Sequence, residues 1–282
     1  MNIYRVLLAL FGERLFLRAK YYYRVRRRLH LAKPITFSEK LQWLKLNEKL
    51  PVMTVLADKI ECKEWVSNSI GSEYVIPLLK VFNSPNEISL ESIPTIPFVL
   101  KASHDSGGVK VIGSEAHFDQ KEIQQYYQRR MASFYYLNLE WEYKNIAPRV
   151  FAEELLVDDN KGLMLRDYKV HCFNGQPRFI QTISDREEIV KENWFNTDWE
   201  LQDMWYFSPH KADLDRPQCL EELLDLSQKL ARPFNYVRVD FYWTGGQVFF
   251  GEFTFRPYGG FMVWNREEVD NELGELLKLN KV

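Results

Sequence analysis

The sequence predicts an α+β fold built on antiparallel sheets. Helical patterns open the chain, a small strand-rich unit follows, and strands and helices do not alternate as βαβ units would. Asn174-Gly175 and Gly245-Gly246 lie between apolar runs, which is typical of hairpin turns that join antiparallel strands. Of the 282 residues 46% are hydrophobic, so the chain can bury a substantial core.

The first part of the chain has mainly helical patterns. Apolar residues interleaved with basic ones predict a helix over residues 1–30. Thr36 and Glu39 have the spacing of a capping box, which begins a second helix. A third helix is expected over about 52–69, and residues 74–79 are expected to form a short strand.

Strands dominate the rest of the chain. The stretch 186–216 is rich in Trp and acidic residues and lacks periodicity, so a lid or substrate loop is expected there. The other predicted elements are strands at about 97–101, 109–112, 150–156, 165–173, 177–183, 238–242 and 251–255, and helices at about 118–133, 218–231 and 267–278.

The N-terminal segment is strongly basic. Residues 1–33 hold nine Lys and Arg against only Glu13, so the remainder carries a net charge of about −10 when the whole chain carries −2. A basic, aromatic, amphipathic segment can lie on an anionic membrane surface, and it can equally be a helix packed on the body of the protein. Nucleic acid is not an expected partner, because no recognised reader motif accompanies the charge.

Cysteine content and hydropathy bear on the cellular compartment. Cys62, Cys172 and Cys219 form no CxxC pair and no zinc-like spacing, which favours reduced thiols in a cytosolic protein. No apolar run approaches the ~20 residues that a spanning helix needs. We expect a cytoplasmic location, with the inner face of the membrane as an option if the basic arm binds lipid.

The Gly245-Gly246 hairpin carries the strongest candidate site. Arg238 and Asp240 share one strand face, as do Glu252 and Thr254. A loop of odd length centred on Gly246 would place Asp240 opposite Glu252, whereas a two-residue loop would put them on opposite faces. Two opposed carboxylates on a half-buried face repel unless a cation lies between them, and Mg²⁺ is the natural candidate. The alternative is two separate solvated strand residues.

Two further patterns suit phosphate chemistry. An apolar strand delivers Lys101 just before the Ser- and Gly-rich turn 103–108, so backbone N–H groups and an ammonium can face phosphate oxygens. This is not a Walker A loop, and a hairpin with a solvated Lys is the competing interpretation. Asp167, Lys169 and His171 lie on one strand face, and the competing interpretation is a solvated face with an Asp–Lys pair.

The ordered set of motifs resembles the ATP-grasp fold, and within it the TupA-like family associated with teichuronopeptide and capsular polysaccharide biosynthesis. The resemblance covers about 34–275 and leaves only the basic arm outside. It implies a nucleotide held between two antiparallel sheets, with a basic helical N-terminal arm. The matching pieces are Phe37-Ser38-Glu39-Lys40, Ala57-Asp58-Lys59, Val99-Leu100-Lys101 with His104 and Gly107, Glu153-Glu154, Asp167-Tyr168-Lys169, Cys172-Phe173-Asn174-Gly175, Arg238-Val239-Asp240-Phe241-Tyr242 and Gly251-Glu252-Phe253-Thr254-Phe255.

The resemblance also implies subdomains and residue roles. The expected divisions are a basic arm at 1–33, an N-terminal subdomain at 34–95, a small central subdomain at 96–160 and a C-terminal subdomain at 161–282. Arg238, Lys101 and Lys169 would be catalytic. The residues expected to bind ATP are Lys101, His104, Ser106, Gly107, Gly108, Glu153, Glu154, Leu155, Leu156, Asp167 and Lys169. Asp240, Glu252 and Thr254 would bind Mg²⁺; many ATP-grasp enzymes have Asn where this chain has Thr254, so one or two ions are possible. Arg256 is another candidate anion contact.

The resemblance implies an ATP-dependent carboxylate–amine ligase that forms an amide through an acyl phosphate. The substrates would be a small-molecule or glycan carboxylate and an amine, such as an amino acid with a uronic acid or amino sugar of a cell-surface polysaccharide or its precursor. The alternatives are a small-molecule kinase or glycosyltransferase, for which Asp213-Leu214-Asp215 is a formal DxD match, and a degenerate ATP-binding scaffold protein.

Overall fold

The computed structural model describes residues 3–93, 95–105, 107–131, 135–157, 167–184, 191–209 and 214–279. Its helices are α1 (Ile3–Val25), α2 (Phe37–Asn47), α3 (Pro51–Ala57), α4 (Cys62–Ile70), α5 (Gln120–Arg130), α6 (Tyr135–Asn138), α7 (Leu220–Ala231) and α8 (Glu267–Leu276). Its strands are β1 (Leu78–Phe82), β2 (Phe98–Ala102), β3 (Val109–Ile112), β4 (Val150–Glu154), β5 (Asp167–Phe173), β6 (Gln176–Ser184), β7 (Lys191–Asn196), β8 (Leu201–Gln202), β9 (Tyr236–Thr244) and β10 (Gln247–Thr254).

The strands form two sheets, and every strand pair within them is antiparallel. The small sheet has the order β1-β4-β2-β3 and the large sheet the order β10-β9-β5-β6-β7-β8. Consecutive strands are joined by tight hairpins at Asn174-Gly175 and Gly245-Gly246. The predicted α+β class is therefore confirmed.

One face of each sheet is buried under helices. On the large sheet, Val170 and Val239 belong to the same apolar core as Leu223 and Leu226 of α7. On the small sheet, Leu100 shares a core with buried side chains of α5. Because strand side chains alternate between faces, the residues between these core positions point to the opposite face of each sheet, where the polar motif residues lie.

The predicted helix over 52–69 is wrong, because a turn divides it into α3 and α4. Asp58 has extended backbone angles, and its carboxylate accepts hydrogen bonds from the N–H groups of Ile60 at 2.8 Å and Glu61 at 3.3 Å. An Asp side chain that bonds to its own backbone two residues on competes with helix formation. The turn holds Lys59 outside both helices.

Two further predicted elements differ. Residues 72–74 form a 3₁₀ turn, and the strand expected at 74–79 begins only at Leu78. The stretch 186–216, expected to be irregular, contains β7 and β8. Its periodicity is hidden because four consecutive residues of β7 are buried, so both strand faces carry large side chains such as Trp194 and Phe195.

The helix α1 is interrupted at Gly12, which has φ 70° and ψ 167°. After this break, four apolar side chains pack in a small core with Leu139 and Phe261; they are Phe16, Leu17, Tyr21 and Val25. Among the residues that the structure describes, no helix combines the length and hydropathy required to span a bilayer.

Candidate active site

The β9–β10 hairpin places Asp240 opposite Glu252. The turn at Gly245-Gly246 is a two-residue loop that pairs Thr244 with Gln247, and by itself it would pair Asp240 with Gly251. A β-bulge after Phe250 shifts the register by one residue and brings Glu252 into line. A side chain at Gly251 would meet the Asp240 carbonyl oxygen and the Tyr242 ring, each at 3.1 Å, so glycine allows the close approach.

Arg238 lies between the two carboxylates. Its Nε and Nη2 contact Oδ1 and Oδ2 of Asp240 at 2.6 and 2.7 Å. Nη2 also donates to Thr254 Oγ1 at 2.9 Å and lies 3.6 Å from Glu252 Oε1. Burial disfavours the guanidinium charge, but Asp240 outweighs this effect and raises the pKa of Arg238. The cation that the opposed carboxylates require is, in this structure, Arg238 itself.

The neighbouring strand β5 supplies a second cation. Lys169 is paired in register with Asp240, and its Nζ lies 2.5 Å from Asp240 Oδ2 and 2.6 Å from Asp167 Oδ2. Asp167 and Lys169 are each only 5% exposed. They therefore belong to a buried charge network and not to a solvated strand face.

The small sheet presents its own charge pair. Lys101 pairs in register with Phe151, so its side chain shares a face with Glu153 two residues further along β4. The Glu153 carboxylate forms ion pairs with Lys101 and with Lys63, the latter at 2.9 Å. Burial raises the pKa of Glu153, but the two ammonium groups outweigh burial and hold its pKa below the usual value.

Lys59 and Lys63 connect the two sheets. From the Asp58 turn, Lys59 Nζ reaches Glu252 Oε2 on the large sheet at 3.2 Å, while Lys63, one helical turn later, meets Glu153 on the small sheet. Burial raises the pKa of Glu252, but Lys59 and then the other nearby cations outweigh it, and the net pKa is lowered. The sequence predictions give these two lysines no role; their spacing of four and the Ala57-Asp58-Lys59 motif are the signals that point to them.

The loop after β2 is fixed at its base. Lys59 Nζ donates to the Asp105 carbonyl at 2.6 Å, and the Asp105 carboxylate pairs with Arg130 at 2.6 Å. A Cβ on Gly108 would lie 2.6 Å from Asp105 Oδ1, so this ion pair packs directly against the glycine. Gly107 has φ 80°. His104 is buried, and its Nε2 contacts the Arg130 carbonyl at 2.8 Å. Ser106 lies outside the described residues.

Glu154, Leu155 and Leu156, which are among the residues expected to bind ATP, lie at the end of β4 and just after it. The Glu154 N–H donates to the Pro77 carbonyl at 3.1 Å, and Leu155 and Leu156 follow as half-buried residues outside the strand. Val109 and Val111 lie on the Lys101 face of the small sheet, 47% and 56% exposed. This face therefore combines an ammonium group with uncovered apolar surface.

Comparison with known proteins bears on this arrangement. A family model described as TupA-like ATPgrasp matches residues 39–278. The chain belongs to the TupA-like ATP-grasp family. The predicted resemblance is thus confirmed, and the arm before residue 39 lies outside the match. A comparison with curated proteins found no match.

Several solved structures are similar to this TupA-like chain at low identity. D-alanine–D-alanine ligase from Helicobacter pylori shares 15% identity with a TM-score of 0.47, and the match covers 86% of this chain and 69% of that one. The Bacillus anthracis D-alanine–D-alanine ligase complexed with ATP shares 15% identity with a TM-score of 0.42, and the match covers 71% of this chain and 55% of that one. The ATP-grasp ligase PsnB complexed with minimal precursor, Mg and ADP shares 13% identity with a TM-score of 0.45, and the match covers 85% of this chain and 65% of that one.

The TupA-like site includes further buried polar residues; the sequence predictions placed His171 on this strand face but did not include Tyr236 or Gln181. His171 is paired in register with Arg238, is 1% exposed, and lies 2.7 Å from Tyr236 Oη and 3.2 Å from Gln181 Oε1. Burial, and next the charge of Arg238, lower the pKa of His171 well below its usual value. The imidazole is therefore neutral and adds no second positive charge beside Arg238.

Arg256, the other candidate anion contact, is fully buried. Its Nη2 pairs with Glu48 Oε2 at 2.9 Å and its Nη1 donates to the Phe255 carbonyl. Glu142 lies in the same interior, and neither of its carboxylate oxygens has a side-chain hydrogen-bond partner among the described residues. Burial raises the pKa of Glu142 to about 7.

The donor set fits a magnesium ion in its chemistry. Asp240 and Glu252 provide two carboxylates on one face, and Thr254 adds a hydroxyl oxygen; Mg²⁺ uses one or two protein carboxylates and completes its octahedron with phosphate oxygens and water. Within the described part of the chain, no group of three or more His, Cys, Asp or Glu side chains is arranged to hold a metal. Of the DxD match, Asp213 lies outside the described residues.

Proposed function

We propose that this protein is an ATP-dependent carboxylate–amine ligase. The observation that carries the proposal is the register that sets Asp240 against Glu252 on the face where Arg238 and Lys169 also lie. Phosphoryl transfer needs positioning and charge neutralisation more than covalent help from the protein. A face with paired carboxylates and buried cations supplies both.

ATP would bind between the two sheets. Lys101 would meet its phosphates, with the loop 103–108 beside them, and Lys169 would neutralise charge from the large sheet. The exposed valines of β3 offer an apolar surface for the base, and the backbone after β4 offers hydrogen-bonding groups to adenine. These assignments are supported by the shared face of Lys101 and Val109, which are paired in register.

Asp240 and Glu252 would hold Mg²⁺, and Thr254 is the third candidate oxygen. When bound, the ion neutralises phosphate charge and polarises the transferred group. Arg238 would hold the substrate carboxylate and stabilise the charge that develops on it. His171, which is paired in register with Arg238, would impose little electrostatic cost on this role because its imidazole is neutral.

The reaction would proceed in two steps. A carboxylate oxygen of the substrate attacks the γ-phosphorus of ATP, which forms an acyl phosphate and breaks the bond to ADP. The free amine then attacks the acyl carbon, phosphate leaves with the bonding electrons, and the nitrogen loses a proton. Water would hydrolyse the acyl phosphate, so closure of the 103–108 loop serves to exclude it.

We further propose that one substrate is a uronic acid or amino sugar of a cell-surface polysaccharide or its precursor, and that the other is an amino acid. This assignment is supported by the TupA-like family alone. The test is ADP release in the presence of a carboxylate, an amine, or both, with uronic acids, amino sugars and amino acids as the panel. A ligase requires both partners and yields one amide per ADP.

The same assay separates the rivals. A small-molecule kinase releases ADP with one acceptor and forms no amide. A glycosyltransferase consumes a sugar nucleotide and leaves ATP intact. A degenerate scaffold binds ATP in calorimetry without releasing ADP with any pair, and this last outcome, obtained across the whole panel, would contradict the proposed activity.

A further inference from the structure

Three large apolar side chains of α1, on either side of the break at Gly12, are exposed among the described residues. Leu10, Phe11 and Leu15 are 71%, 54% and 50% exposed. The helix already has a packed side, which buries Phe16 and Tyr21 against the body. The helix α1 therefore carries exposed apolar side chains, called here its open face, in addition to the side that packs on the body.

Arginines surround the open face and are largely uncommitted. Arg14 and Arg18 are exposed, stand four residues apart, and have no ion pair among the described residues. Glu13, the one acidic residue of residues 1–33, is paired with Lys49 at 3.3 Å. The described part of the body thus supplies no acidic partner for Arg14 or Arg18, whereas a helix that only packs on an acidic body would be expected to form such pairs.

We propose that α1 rests on a bilayer surface that contains anionic lipids. Leu10, Phe11 and Leu15 would enter the boundary between headgroups and acyl chains, while Arg14 and Arg18 contact lipid phosphates. A few inserted side chains and a few basic residues each bind weakly, and together they give stable but reversible attachment. Because the helix is interrupted at Gly12, the residues before it can take a different direction from the following helix and lie along the bilayer surface.

A second copy of the chain fits this face less well. A symmetric dimer would bring the same uncompensated arginines together, and like charges repel at an interface. The area that three apolar side chains can bury is also smaller than the roughly 800 Å² that each partner buries in a stable interface. A bilayer with negative headgroups matches both the apolar set and its basic surroundings.

The experiment measures sedimentation of the full chain with vesicles of phosphatidylcholine alone and of phosphatidylcholine mixed with phosphatidylglycerol. We expect binding to the mixed vesicles that weakens as salt rises. Arg14→Gln/Arg18→Gln should reduce partitioning by about 25-fold, since each of the two basic residues near the surface contributes about fivefold. Leu10→Ser/Phe11→Ser/Leu15→Ser should reduce it by at least a similar factor.

A matched variant controls for the loss of exposed apolar area. Ile35 and Leu201 are 59% and 55% exposed outside α1, so Ile35→Ser/Leu201→Ser should bind vesicles like the unmodified protein. Circular dichroism checks that every variant is folded. The proposal would be overturned if the protein did not bind the mixed vesicles, or if the triple Ser variant bound them fully. It would also be overturned if the protein formed a concentration-dependent dimer that the same substitutions abolish.

Discussion

Replacing Asp240 with Asn would remove the charge that two buried cations share. Arg238 contacts both carboxylate oxygens, and Lys169 lies 2.5 Å from one of them, while Asp240 itself is 2% exposed. Breaking a buried ion pair from one side costs about 3–5 kcal/mol. Asp167 still pairs with Lys169 at 2.6 Å, which places the expected loss at the lower end, about 3 kcal/mol of unfolding free energy.

Glu252→Gln should behave differently, although both residues are assigned to the same ion. The Glu252 side chain is 31% exposed, and its cationic neighbours Lys59 and Arg238 lie at 3.2 and 3.6 Å. Ion pairs of this partly exposed kind contribute at most about 1 kcal/mol. Both variants should therefore lose ATP turnover, but only Asp240→Asn should lose substantial stability.

The measurement is urea unfolding followed by tryptophan fluorescence, together with ADP release, for both variants. Glu268→Gln on the exposed side of α8 is the control for a change from carboxylate to amide. If the Asp240→Asn variant is as stable as this control, Asp240 is not the shared counter-ion of Arg238 and Lys169. Turnover that survives in either site variant would refute the metal assignment.

Three other perturbations test separate parts of the argument. Lys101→Ala should weaken ATP binding by about 10- to 100-fold in calorimetry, because a charge-assisted contact to phosphate is lost. Gly251→Ala should lower the thermal midpoint through a loss of about 1–3 kcal/mol, because its Cβ meets the Asp240 carbonyl and the Tyr242 ring at 3.1 Å. For Glu142, burial raises the folded pKa to about 7 from 4.5, so the folded state holds a proton that the unfolded state releases. Stability should therefore fall by up to ~3 kcal/mol as pH rises from 4.5 to 7, and Glu142→Gln should remove that part of the decline.

Each perturbation has its own control. Lys110→Ala serves for Lys101, since Lys110 lies on the adjacent strand but pairs with Glu122 of α5; equal loss of ATP affinity in both would argue against a specific phosphate contact. Gly113→Ala serves for Gly251, because its Cβ would have ordinary contacts at 3.7 Å. The Glu142 prediction is tested by urea unfolding across the pH range, with Glu268→Gln as the control for Glu142→Gln. If the unfolding free energy of the two variants changes with pH in the same way, the buried proton on Glu142 is contradicted.

Features that depend on short stretches of sequence were predictable. The Thr36 hydroxyl caps the Glu39 N–H while the Glu39 carboxylate accepts from the Thr36 N–H, as the capping-box spacing predicts. Asn174-Gly175 forms a tight turn, because its positive φ angles of 48° and 77° suit these two residues. The α+β class follows from such local signals, since antiparallel strands need only short connections.

Features that depend on tertiary contacts could not be predicted from the sequence. The sequence left two registers open for the late hairpin, and the structure uses the two-residue turn yet still opposes Asp240 to Glu252, because the bulge at Gly251 supplies the missing residue. No local pattern distinguishes a bulge glycine from one in a turn. Lys59 likewise looked like part of a helix, and its position depends on how the Asp58 carboxylate turns the backbone.

The charge pattern of the site bears on how the proposed substrate would enter. The cations Lys59, Lys63, Lys101, Lys169 and Arg238 are balanced almost fully by Asp167, Glu153, Asp240 and Glu252. Free ATP would gain cations for its phosphates only by leaving these carboxylates, three of which are buried, without partners, and this is costly. A magnesium nucleotide would bring a replacement with it, since Asp240 and Glu252 would hold the ion and the cations that they release could then contact phosphate oxygens. On the proposed function, therefore, the protein selects the magnesium complex of ATP by an exchange of ion pairs and not by a preformed excess of positive charge.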